Sequence, residues 1–325
     1  MVSKTFLITL LFVTSLNPTN LPGQDNGCTR RTVPVSVVDR EWNLVRGLSA
    51  ANFRGKLRGH EVEILSASID TSPRHIVLLL DASGSMMQER WEAAKSLAGD
   101  LIRFVPPSAS VAQMAFSVTV LGSASFDQDR FTLLKRLEDL ERMCEEAQGN
   151  RSTALYDAIS GALSSLGSLN FGDVIYAVTD GGDNASRSDP KKVEEDLAAA
   201  RVRLFAVVLA PRLAVRGRVP VESGYDRLHS MVEATGGNLL EFPYHGASPP
   251  YSSIKAKTPA DAVDLALRRL YGQMGEPYRL EMRLPATLDK PTKWKLQVIT
   301  AKGKPNRRVE VHYPEQLMPC AKASP

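Results

Sequence analysis

Apolar and polar positions alternate with two different periods along this chain, and the change of period divides it. Val33, Val35 and Val37 alternate with Thr32, Pro34 and Ser36, and Val62 and Ile64 alternate with Glu61 and Glu63. A period of two predicts strands with one face buried. Near the other end Leu280, Met282 and Leu284 alternate with Arg279, Glu281 and Arg283. Trp294, Leu296 and Val298 follow, then Val309 and Val311 beyond the turn signal Gly303-Lys-Pro-Asn306. Both ends read as β structure. Each offers too few short strands to be stable alone, so residues 30–70 and 277–313 are expected to build one small β unit together.

The middle, about 73–275, alternates strands with helices. His75–Leu80 is a continuous apolar run ending at Asp81, and Trp91, Ala94, Leu97, Leu101 and Phe104 then recur at helical spacing. Val111–Val120 reads as one strand. Phe131, Leu134, Leu137 and Leu140 predict a helix, and Leu155, Ala158, Ile159, Ala162 and Leu166 another. Val174–Val178 is a strand that runs through Thr179 into Asp180, and Leu204–Leu209 is a further buried strand. Asp189-Pro190 signals a helix start, a capping carboxylate before a proline. A helix over Leu228–Thr235 is expected to stop at Gly236-Gly237. Thr258-Pro259-Ala260-Asp261 opens the last helix, with Val263, Ala266, Leu270 and Met274 on one face. Continuous apolar strands between amphipathic helices imply an α/β fold, a mostly parallel sheet covered on both sides. The expected division is 1–23 leader, 24–72 N-terminal β flank, 73–275 α/β domain and 276–325 C-terminal β flank, in keeping with about two domains for 325 residues.

Composition narrows the function classes. Lys plus Arg is 40 against 36 for Asp plus Glu, a net charge of +4. That balance, with basic residues scattered, gives no footprint for nucleic acid. Nucleotide-binding glycine loops and the His-Glu-x-x-His zinc motif do not occur. In residues 1–23 a single cation, Lys4, precedes an apolar run from Thr5 to Leu16, too short to span a bilayer but suited to a signal-peptide core. The expectation is a secreted or periplasmic protein with no stable membrane span after cleavage. The alternative is that the run is a buried element of the fold.

Two buried strands end in carboxylates, Asp81 and Asp180. In open α/β sheets ligands sit beyond the carboxyl ends of strands. Asp81-Ala82-Ser83-Gly84-Ser85 can turn alternate oxygens into one space, and Thr153 opens a helix nearby. Two carboxylates and three hydroxyls form an all-oxygen set suited to a hard ion, Mg²⁺ first, with Mn²⁺ or Ca²⁺ as alternatives. Taken singly, Ser85 and Thr153 could cap helices and Asp180-Gly181-Gly182 could make a turn.

Asp81-Ala-Ser-Gly-Ser-Met86, Ser152-Thr-Ala-Leu-Tyr-Asp157 and Thr179-Asp-Gly-Gly-Asp-Asn184 resemble the metal-ion-dependent adhesion site of von Willebrand factor type A domains. The resemblance covers about 73–275. It implies a Rossmann-like sheet, a divalent ion held by Asp81, Ser83, Ser85, Thr153 and Asp180, and a protein partner that presents an Asp or Glu. The flanks, with Val35-Ser-Val-Val-Asp39, Val45-Arg-Gly-Leu-Ser49 and Phe53, are similar to the bacterial exported group related to this family. Arg151 departs from the small residue common there and is expected, with Asp183, on the partner-facing rim. Asp183 is alternatively part of a solvated turn.

The implied role is an exported, metal-dependent protein-binding module and not an enzyme. The alternatives are a structural component of an envelope complex whose ion only stabilises, and a metal-assisted hydrolase, for which the motif loops supply no positioned base. Asn150-Arg-Ser152 and Asn184-Ala-Ser186 read as chance sequons. Of three cysteines, Cys28 and Cys320 lie in the flanks and Cys144 in the α/β domain. An oxidising compartment would permit one bridge. Cys28–Cys320 is favoured, although spacing does not fix connectivity.

Overall fold

The computed structural model describes residues 28–86, 89–146, 152–209, 224–242 and 257–320. Residues 1–23, expected to be a leader, and Arg151 lie outside the described residues.

The α/β part is a six-stranded sheet. Its strands are β4 (Arg74–Asp81), β5 (Ala109–Phe116), β6 (Val120–Ala124), β7 (Val174–Thr179), β8 (Arg203–Leu209) and β9 (Leu239–Phe242), in the order β6-β5-β4-β7-β8-β9. Every pairing is parallel except β5 with β6. Ile76 to Leu80 form an unbroken apolar run because helices cover both faces, leaving each of them 0% exposed. Leu78 and Leu80 pack with α1 (Glu89–Phe104), α2 (Arg130–Glu146) and α6 (Pro259–Gly275). Val77 and Leu79 pack with α3 (Leu155–Ser165), α4 (Pro190–Ala200) and α5 (Tyr225–Thr235). The α4 cap is the expected one, with Asp189 accepting from Lys191 N at 2.9 Å. Thr258 and Asp261 cap α6 reciprocally. Helix α5 ends at Gly236, and at Gly237 a side chain would meet Leu204 O at 1.7 Å, so that position admits only glycine.

Two local readings differ from the pattern. Val111–Val120 is a hairpin rather than one strand: Ser117 N bonds Thr119 O and the chain returns as the antiparallel edge strand β6. In α2 the buried positions are Leu133, Leu137 and Leu140, while Phe131 is 77% exposed. The apolar stripe is therefore rotated relative to the one read from Phe131.

The flanks build a second, curled antiparallel sheet. It comprises β1 (Arg30–Asp39), β2 (Phe53–Leu57), β3 (His60–Ile69), β10 (Tyr278–Arg283), β11 (Thr292–Val298), β12 (Val309–His312) and β13 (Gln316–Leu317). The order β12-β1-β10-β3-β2-β11-β13 interleaves the two ends of the chain, as their separate insufficiency required. Pro34 is tolerated in β1 because β12 pairs only with Ser36–Asp39, so no partner needs a donor at Pro34 on that side. The second half of β1 is buried on both faces, Ser36 and Val38 included, which simple alternation does not anticipate. Its outer face meets the α/β domain, where Ser36 Oγ donates to Gln273 O.

Two buried arginines complete that joint. Arg203 donates to Gln273 O at 2.9 Å and Met274 O at 2.8 Å, the last-turn carbonyls of α6. Arg74 reaches Met274 O and Asp70, and Asp70 also accepts from Arg279. Helix C-terminal carbonyls lack intrahelical donors and carry partial negative charge, so cations are favoured there.

Candidate functional site at the carboxyl ends of the strands

Asp81 closes β4 and is 0% exposed. Its Oδ1 accepts from Ser83 N at 2.9 Å and its Oδ2 from Thr179 Oγ1 at 2.6 Å. The chain then makes a short 3-10 turn, Gly84–Met86, anchored by the fully buried Met86. That turn sets Ser83 Oγ 3.1 Å from Ser85 Oγ, the first buried and the second exposed. Hydroxyls two residues apart thus line the path from the interior to the surface.

Asp180 follows β7 in the neighbouring strand position. Gly181 has φ +85, a left-handed turn that brings Gly182 N back onto Asp180 Oδ1 at 3.0 Å. Asp180 Oδ2 faces Arg90 Nη1 at 3.3 Å, and the same Nη1 donates to Ser85 O at 2.8 Å.

Thr153 lies in the segment before α3 and is 3% exposed. Its N donates to Asn184 Oδ1, its O accepts from Asn184 N and Ala185 N, and Ala154 N donates to Ser117 O. The segment is thereby pinned between the loops that follow β5 and β7. Asp183, expected on the rim, directs Oδ2 to Tyr156 N and to Ser186 Oγ, fastening its loop to the start of α3.

The electrostatics follow from this crowding. Burial, and then the negative charge of Asp180, push the Asp81 carboxyl up to about 7. Arg90 is the guanidinium set against Asp180, with its side chain 17% exposed. Among the described residues no group of three His, Cys, Asp or Glu side chains is arranged to hold a metal. The set here is different in kind, two carboxylates with hydroxyls. Its oxygen-only chemistry and excess negative charge fit a hard divalent cation better than a soft one.

Three groups in this network were not singled out as site residues from the sequence: Thr179, Asn184 and Arg90. Thr179 and Asn184 lie inside the quoted motif. Arg90 is five residues past Ser85, and a cation in the first turn of a helix that follows a hydroxyl-bearing loop is the signal that marks it.

Solved structures similar to the chain include BatB of Bacteroides thetaiotaomicron, at 16% identity and TM-score 0.43, covering 62% of this chain and 98% of that one. An aerotolerance-related membrane protein of Bacteroides fragilis has 16% identity and TM-score 0.45, covering 62% and 99%. A von Willebrand factor type A protein of Catenulispora acidiphila has 13% identity and TM-score 0.42, covering 92% and 76%. No curated protein matches the chain. The family model of the von Willebrand factor type A domain matches residues 75–220, which run from β4 past the end of β8 and include Asp81, Thr153 and Asp180. Over residues 75–220 the chain is therefore similar to the von Willebrand factor type A domain family.

Proposed function

We propose that the protein is an exported protein-binding module whose contact with its partner depends on a divalent cation, Mg²⁺ first and Mn²⁺ or Ca²⁺ as alternatives. Domains of this family are generally interaction modules rather than enzymes. Asp81, Ser83, Ser85, Thr153 and Asp180 would hold the ion. One observation carries the reading: two buried carboxylates at adjoining strand ends face loop hydroxyls, with one guanidinium as countercharge. When bound, the ion supplies an open coordination position for a partner's Asp or Glu. Ser83 and Ser85 set the path from the buried carboxylate to the surface. Thr179 holds Asp81 in place, and Gly182 N does the same for Asp180. Export rests on the apolar leader at 1–23. Among the described residues no helix is long and apolar enough to cross a membrane.

The 0% exposure of Asp81 and Ser83 favours a second reading, an ion that only ties the three loops together. Partner capture in Mg²⁺ and in EDTA separates the two. The adhesion reading expects binding to vanish in EDTA, to return with Mg²⁺, and to fall sharply when one acidic residue of the partner becomes its amide. Ser83→Ala should weaken capture more than it lowers the melting temperature. A partner held equally well in EDTA would leave only the stabilising role.

A further inference from the structure

Cys28 stands just ahead of β1 and Cys320 just after β13. In sheet order β1 is second and β13 seventh. Laid flat, five steps of about 4.8 Å would set these strands roughly 24 Å apart. In the folded chain Cys320 instead lies against Arg31, Thr32 and Val33 at the start of β1, and the two thiols are neighbours. The sheet curls until its ends meet, and the connection from β12 to β13 bridges the opening. Tyr313 Oη accepts from Leu296 N, and Trp294 Nε1 donates to Pro314 O at 2.7 Å. This closing seam is thin, because β13 pairs with β11 through only Thr292–Leu317 and Lys293–Gln316.

The surroundings of the pair favour exchange chemistry. Arg31 is 8% exposed, its Nη1 donates to Arg30 O, and its guanidinium lies beside the Cys320 thiol. A cation beside a thiol stabilises the thiolate, which is the attacking species. Hydrogen bonding from Cys28, and then Arg31, hold the Cys320 thiol below the ordinary range, while the same bond raises Cys28. Cys320 also borders a cleft of about 460 Å³ that it shares with Arg31, Arg201 and Leu317. The cleft leaves room for a small disulfide to approach.

We propose that Cys28 and Cys320 are a disulfide site whose bond clasps the two ends of the curled seven-stranded sheet. The Cys320 thiolate attacks one sulfur of a small disulfide oxidant and displaces the other as a thiolate. Cys28, losing its proton, then attacks the Cys320 sulfur of the mixed disulfide and releases the second thiolate. Two protein thiols lose two electrons and two protons, and the oxidant is reduced to two thiols. The inference is independent of the metal site, since neither cysteine belongs to the α/β sheet.

The test equilibrates the full chain with oxidised glutathione, quenches with N-ethylmaleimide and maps peptides without reduction. A peptide joining Cys28 to Cys320, with Cys144 alkylated, is expected. Cys28→Ser should leave Cys320 as a mixed disulfide with glutathione, and Arg31→Gln should slow bridge formation severalfold. Should either single-cysteine variant fail to fold, the wild-type chain compared with and without the oxidant still decides by the peptide map and by slower proteolysis of the N-terminal flank in the bridged form. Cys28 and Cys320 both recovered as maleimide adducts, or each joined only to glutathione, would overturn the proposal.

Discussion

Both ends of the six-stranded sheet bury charge, and they balance it differently. At the amino end Arg74 is 2% exposed and Arg203 0%. Burial, and then the neighbouring Arg74, pull Arg203 below the usual arginine range to about 9, still cationic at neutral pH. All of its guanidinium but Nε has a partner, chiefly the closing carbonyls of α6. At the carboxyl end Asp81 and Asp180 are as deeply buried, yet they oppose each other, and among the described residues the cation set against them is Arg90, paired with Asp180. One end is a joint, with its charges met by fixed dipoles and by Asp70. The other holds two opposed carboxylates just beneath the loops at the carboxyl ends of the strands. Burial alone therefore does not mark a site; opposed, incompletely paired carboxylates at adjoining strand ends do.

The comparison can be broken first at the joint. Arg203→Ala should cost about 3 kcal/mol, from lost packing and from α6 carbonyls left without donors. Urea denaturation measures it, and a loss below about 1 kcal/mol would mean that the amino end is not a fixed joint.

At the carboxyl end the corresponding change should act the opposite way. Asp81→Asn removes one of two mutually repelling charges, so in EDTA its melting temperature should equal or exceed that of the unaltered protein. Saturating Mg²⁺ should then stabilise the unaltered protein, by about 2.7 kcal/mol at a hundredfold excess over Kd, and leave the variant unmoved. A variant that melts well below the parent in EDTA would assign Asp81 a purely structural role.

Arg90→Gln sharpens the same contrast with a smaller effect. Relieving Asp180 of its guanidinium should tighten Mg²⁺ binding about threefold to tenfold, roughly 1 kcal/mol at such partly exposed charge separations. Isothermal titration would register it, and weaker binding would make Arg90 a support of the site rather than a competitor.

The smallest effect concerns the seam between the two sheets. His312 of β12 lies 3.6 Å from Glu310 and 3.5 Å from Asn238, with Glu233 and His229 of α5 and Glu315 around the same cleft. Burial lowers its affinity for a proton more than Glu310 and Glu233 raise it. The unfolded chain, with histidine near 6.5, then binds a proton that the folded chain resists. Stability from this group is complete above about pH 6.5 and declines as pH falls below it. His312→Asn should flatten that part of the stability profile, and an unchanged slope between pH 7 and 5 would remove His312 from the account.

Much of the candidate site was legible because it is local. A continuous apolar run that stops at an aspartate states both where a buried strand ends and which group stands there. The capping pairs at Asp189 and Thr258 were equally legible, since their partners lie within three residues. Arg90 was not, because its role depends on the angle at which α1 leaves the loop. The arginines at the strand starts read only as flanking charges of the runs that follow Arg74 and Arg203. The α6 carbonyls that they meet lie 200 and 70 residues away in sequence.

By itself the sequence determined the alternation of elements, the α/β class of the middle and the β character of both ends. It also determined the chemistry of the oxygen donors, all through periodicity and short-range contacts. Only the tertiary structure decided that Asp183 serves α3, that β1 is buried on both faces, and that the flanks curl until Cys28 meets Cys320. These outcomes depend on which surfaces come together across long chain separations. Shape and packing of whole elements select them, and no window of residues carries that information.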